Sequence, residues 1–186
     1  MDLYASVRSA RDPRTAWQAW RAERDLLFEQ HPQSPLPAEA RSSFQGLSYF
    51  DYDPEMRVTA ELAESDNERR EMPTSAGDPM VFDRFGSARF ELDGRELTLD
   101  VYWLAVYGGG IFLPFKDPTS GDSTYGAGRY LLDTIKGADL GTSGDRLVLD
   151  FNFAYNPSCS YDPRWACPLA PPANVLPVEI PAGERI

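Results

Sequence analysis

A mainly β fold is what this sequence predicts: an antiparallel β-sandwich or partly open barrel, with one N-terminal α-helix and a Pro-rich C-terminal wrap. Three observations predict it. A helical apolar period is confined to residues 13–30. Short period-two segments punctuated by turn residues fill residues 44–155, with no long helices between them, which argues against a doubly wound sheet. From Asn156 onward, prolines at 157, 163, 168, 171, 172, 177 and 181 leave neither a helix nor a central strand open to the chain. All 186 residues read as one domain.

The helix has local signals at both ends. Asp12 is placed to cap exposed N–H groups and Pro13 suits the first helical position. Trp17, Trp20, Arg24, Leu27 and Phe28 then share one face, with the Arg24 stem lying along it. Pro32 disfavours an α conformation at His31 and ends the run. In the β body, Arg57 to Leu62 predicts a strand. Ala88 to Asp93 and Arg95 to Val106, joined at Asp93-Gly94, predict a hairpin. Ile111 to Phe115, Arg129 to Thr134, Leu147 to Phe153 and Val175 to Ile180 are further strands, and Asp66 to Asp78 reads as a mobile loop.

A net charge of −11 opposes phosphate backbones and anionic lipid, so neither nucleic acid nor a membrane surface is an expected partner. Of 18 basic residues only Lys116 and Lys136 are lysines. No stretch approaches the length of an apolar membrane span, and residues 1–15 lack the apolar core of a secretory signal; a cytoplasmic location is the expectation.

Four blocks carry a resemblance. They are Glu23-Arg24-Asp25 with His31 and Ser34-Pro35-Leu36; Phe44 with Gly46-Leu47 and Tyr49-Phe50; Phe115-Lys116-Asp117 through Thr119-Ser120-Gly121 and Thr124-Tyr125-Gly126 to Gly128-Arg129-Tyr130-Leu131; and Asp150-Phe151-Asn152 through Ala154-Tyr155-Asn156-Pro157 and Cys167-Pro168 to Ala182-Gly183-Glu184. Together they make the chain resemble the domain of unknown function 1684 family. The resemblance implies a single domain and points at residues, and it implies no chemistry.

The site expected from the residues themselves lies in the second half. Lys116, Thr124, Tyr125 and Arg129, with glycines between them, form a loop suited to a carboxylate or phosphate, and Asn152 and Tyr155 add polar and aromatic contacts. Binding of a small polar or anionic molecule is the leading expectation, in a pocket near residues 115–130 and 150–156. A protein-interaction or structural domain, with Arg129 paired to Asp150 or Asp133, is the alternative. A hydrolase using Asp117 or Asp150 as acid or base is a lesser one. Strand alternation would turn Asp150 and Asn152 away from the face shared by Leu147, Leu149 and Phe151.

No motif calls for a cofactor. Gly126-x-Gly128 lacks the third glycine of a dinucleotide fingerprint, and no Gly-Lys-Ser/Thr of a P-loop occurs. His31, Cys159 and Cys167, with Asp162, are candidate zinc ligands, but the cysteine spacing is longer than that of usual sites, and no metal is expected; a disulfide or two buried thiols are the other readings. Gly121-Asp122-Ser123 is similar to a lipase nucleophile block, yet no histidine follows His31 to activate Ser123. Asp51 and Asp53 read as surface acids.

Overall fold

The computed structural model describes residues 3–104, 110–134 and 137–186. Seven antiparallel strands form one sheet that does not close: β1 (Arg57–Met72), β2 (Met80–Leu92), β3 (Arg95–Trp103), β4 (Ile111–Phe115), β5 (Arg129–Asp133), β6 (Thr142–Ser143) and β7 (Arg146–Asp150), in the order β5-β4-β3-β2-β1-β7-β6. Helices α1 (Leu3–Ser9), α2 (Pro13–Gln30) and α3 (Ala38–Arg41) precede it. The predicted helix is α2, with the predicted ends. The Asp12 carboxylate accepts from the Thr15 amide at 3.0 Å, and the last cap is the His31 amide donating to the Leu27 carbonyl before Pro32.

The sheet is covered on both faces. Val101, Leu113 and Leu131 belong to a largely aliphatic cluster completed by Leu176, Ile180 and Ala182 of the tail. Their neighbours Tyr102, Phe112 and Tyr130 belong to an aromatic cluster completed by Trp17 and Trp20 of α2 and Tyr4 of α1. Adjacent residues of a strand face opposite ways, so the helices cover one side and the Pro-rich tail wraps the other. Trp20 has no exposed surface and packs edge-on against Tyr4 and Tyr49 and at 5.0 Å between ring centres on Phe153. Gly183 lets the tail cross the chain ahead of it: its φ is +77°, and a Cβ there would stand 2.6 Å from the Ala154 carbonyl oxygen.

Several expected boundaries change. The polar segment 66–72 is not loop: β1 runs on to Met72 and pairs with β2 from Glu68↔Arg84 to Met72↔Met80, past a register shift after Glu64. Both faces of this end of β1 are exposed, so its polar composition reports solvent contact rather than lack of structure. β2 accordingly begins at Met80 instead of Ala88. The hairpin turn at Asp93-Gly94 stands as expected, both residues having positive φ. β3 is assigned through Trp103; residues 105 and 106 of its expected extent lie outside the described residues.

β7 ends at Asp150, whose carboxylate accepts the Asn152 amide and turns residues Phe151–Phe153 into a 3-10 turn. Val175 to Ile180 is no strand. Val175 makes only an isolated bridge to Lys116, because Pro177 and Pro181 have no N–H to give a ladder.

Candidate functional site

Arg129, at the start of β5, is fully buried, and so is its partner. Its Nη2 donates to Asp117 Oδ1 at 3.1 Å and to the Ile180 carbonyl at 3.0 Å, and Nη1 donates to the Ala182 carbonyl. Its guanidinium also lies 5.0 Å from the centre of the Phe115 ring. Asp117 is the ion partner, where the structural alternative named Asp150 or Asp133. The second Asp117 oxygen accepts from the Ile180 amide at 2.8 Å and from the Thr119 hydroxyl at 2.8 Å, and Thr119 meets the Thr124 hydroxyl at 2.9 Å. The loop of residues 117–128 thus hydrogen-bonds to itself and to the tail. Gly128 makes this possible: at φ +98° it passes so close to the Phe115 carbonyl that a Cβ would lie 2.5 Å from it.

Asp150 and Asn152 form a second internal knot. Both are fully buried: Asp150 keeps its strand alternation, but the sheet face opposite the aliphatic cluster is covered too, and Asn152 lies past the strand in the 3-10 turn. Asp150 pairs with Arg57 at 3.0 Å and accepts from the Asn152 side chain at 2.8 Å. Burial raises its pKa, against the pull of Asn152 and Arg57. The Asn152 amide group also donates to the Asp53 carbonyl at 2.7 Å and accepts the Asp53 amide at 2.9 Å. Of the remaining expected residues, Lys116 is half-buried beside the tail at Val175, and Tyr125 points its hydroxyl at Cys159 Sγ, 3.8 Å away.

A pocket of about 600 Å³ lies elsewhere, between α2 and the aromatic side of the sheet. Its α2 wall is the face carrying Trp20, Arg24, Leu27 and Phe28, spaced as one helical stripe demands, with His31 just past the helix end. Tyr130, Tyr155 and Asn156 form the opposite side, and Ser158 and Trp165 a third. Only Tyr155 of the expected ligand residues lines it; Lys116, Thr124, Tyr125, Arg129 and Asn152 do not.

Arg24 is the one Lys or Arg among the lining residues, and its side chain keeps 14% exposure. Its Nε donates to the Tyr49 hydroxyl at 2.9 Å and its Nη2 to Glu184 Oε2 at 3.0 Å, while Nη1 makes no hydrogen bond with a described residue. The guanidinium lies 4.8 Å from the Tyr155 ring centre and 5.1 Å from that of Trp20. Burial lowers its pKa, but Tyr49 and Glu184 outweigh burial and hold it raised. Glu184, fully buried behind it, is pushed up to about 7 by burial, against the pull of Arg24 and of the Asn156 amide that it accepts at 2.9 Å. Three further lining side chains carry buried polar atoms without a partner among the described residues, Trp20 Nε1, Asn156 Oδ1 and Trp165 Nε1. Sequence reasoning placed Arg24 on the apolar stripe but read it as packing; a lone cation inside an aromatic helical stripe was the available signal.

Among the described residues, no three His, Cys, Asp or Glu side chains converge to hold a metal ion. His31 is exposed at the rim of the pocket, with Nδ1 accepting the Gln33 amide. Cys159 and Cys167 are thiols held together in the tail. Asp51 is exposed, and Asp53 caps a 3-10 turn at Pro54–Met56. No helix of the described residues is long and apolar enough to cross a membrane.

Residues 42–185 match the family model described as "Protein of unknown function (DUF1684)". No match is found among curated proteins. Among solved structures, the chain is similar to the solution NMR structure of an uncharacterised protein from gene locus rrnAC0354 of Haloarcula marismortui. The two are 39% identical with a TM-score of 0.68, over 92% of this chain and 93% of that one.

Proposed function

Because the chain belongs to the DUF1684 family, whose description assigns no activity, we propose a function from geometry: binding of a small organic anion with an apolar or aromatic body in the pocket between α2 and the sheet. The observation that carries this reading is the composition of the walls. Tyr, Trp, Phe, Leu and Pro side chains surround a single guanidinium with a donor to spare, at a volume suited to a small-molecule ligand. A carboxylate or sulfonate would take the unused Arg24 donor, and its body would displace water from the rings. This keeps the anionic ligand expected from the sequence and moves its site. Tyr155 remains a contact, and Arg24 takes the place given to Lys116 and Arg129.

The test uses anilinonaphthalene sulfonate, an aromatic body with one anionic group, against the neutral N-phenylnaphthylamine. The expected result is saturable binding of one sulfonate per chain, with the neutral compound weaker by about tenfold or more, about 1.4 kcal/mol. Equal affinities, or no saturable binding, would overturn the reading.

A further inference from the structure

Behind one wall of the pocket lies a pair of groups that anion binding does not use. Ser158 and Trp165 line the pocket, and the cysteines beside them, Cys159 and Cys167, meet each other. The Cys159 amide donates to Cys167 Sγ at 3.3 Å, so the thiols sit within a side-chain rotation of contact. Both ends of this meeting are fixed. Cys167 is clamped to the turn between β1 and β2: its amide donates to Ser75 Oγ at 3.0 Å and its carbonyl accepts the Ser75 amide at 2.9 Å. Cys159 sits in a 3-10 turn at Ser158–Ser160, with the Tyr125 hydroxyl 3.8 Å from its sulfur. The two differ in access: Cys159 is half-exposed and Cys167 is buried.

We propose that Cys159 and Cys167 are a redox-active dithiol, in which Cys159 attacks a low-molecular-weight disulfide of the glutathione class and Cys167 resolves the product into an intrachain disulfide. The Cys159 thiolate bonds to one sulfur of the small disulfide, whose S–S bond breaks; the released thiolate takes up a proton. Cys167 then gives up its proton and attacks Cys159 Sγ, the mixed disulfide breaks, and the second small thiol leaves. Two protein thiols are oxidised and one small disulfide is reduced to two thiols. The division of labour follows from access, since only the half-exposed sulfur meets the reagent. It agrees with the Cys159 thiol being pushed down to about 6, first by its hydrogen bond with Cys167, against its burial and with help from Ser75 and Tyr125.

The full chain, equilibrated with mixtures of oxidised and reduced glutathione and quenched with a maleimide, is read by intact mass. The expected product is a monomer lighter by two hydrogens that takes no maleimide. Cys167→Ser, or Cys167→Ala if the serine variant does not fold, should accumulate a stable glutathione adduct on Cys159, and Cys159→Ser should resist modification. Persistent glutathione adducts on the wild type, disulfide-linked dimers, unreacted thiols at the most oxidising ratio, or equal reactivity of the two single variants would each overturn the proposal.

Discussion

Arg129 and Arg24 are two arginines paired with one acid each, and they teach different lessons. Arg129 and Asp117 have no exposed side-chain surface, and backbone carbonyls of the tail accept from both terminal nitrogens of the guanidinium, while its buried Nε has no partner among the described residues. Burial pulls the Arg129 guanidinium below its usual pKa even with Asp117 beside it. Arg24 is paired just as closely to Glu184, yet it keeps a face on a pocket and a pKa held above the usual value. The first pair fastens the tail to β5. The second keeps one face on the pocket, where a guest is proposed to bind. Arg129 lies within residues 42–185 matched by the family model and Arg24 ahead of them, and what separates the two is access.

The sharpest way to break this contrast is to remove Arg129. Arg129→Ala leaves Asp117 buried without its counter-charge and should cost about 3–5 kcal/mol in a denaturant melt. Adding Asp117→Asn should recover part of that loss. Near-zero cost would mean that Arg129 holds nothing, and the contrast would fail. Trp20→Ala, on the pocket side, should cost a similar amount, about 3–5 kcal/mol, because it empties the centre of the aromatic cluster under α2. A loss near zero would detach the helix from the sheet.

A smaller effect reads the Arg24 pair through pH. Glu184 in the folded protein holds its proton up to about pH 7, while the ordinary value is 4.5. Between these values the folded state binds more protons than the unfolded one. The carboxyl's contribution is therefore fully present below pH 4.5 and is lost as pH rises through 7, by up to about 3 kcal/mol. Glu184→Gln should flatten the pH profile of stability across that window. Profiles of equal slope for the variant and the wild type would mean that Glu184 titrates normally.

Much of the frame was legible in the residues because its signals are local. Asp12-Pro13 and His31-Pro32 bracket α2, and Asp93-Gly94 turns the β2–β3 hairpin, each within a few residues. The outer part of β1 was not, since a strand polar on both faces has no period to read. At Val175 to Ile180 two signals conflicted, an alternation that suggested a strand and the prolines at 177 and 181 that argue against one, and the prolines decide. At the site, residue types were legible and their partners were not. Asp117, Arg129, Asp150 and Asn152 have the chemistry of a binding site, but each is matched by a group far along the chain, such as Ile180 or Asp53, and that matching exists only in the fold. The one expected ligand residue that lines the pocket, Tyr155, is adjacent to Asn156 in the segment where the first and last motif blocks come together.

The most direct test of the central claim is the affinity of anilinonaphthalene sulfonate for two neutralised variants, with stability measured in parallel. Arg24→Met combined with Glu184→Gln removes the pocket charge without stranding its partner, while Lys116→Met removes a cation of the loop first expected to bind. The account predicts that the first weakens binding by about tenfold or more, about 1.4 kcal/mol, and that the second leaves it unchanged. Loss of binding in Lys116→Met, with full affinity in the Arg24 and Glu184 variant, would contradict it and return the site to the loop between β4 and β5.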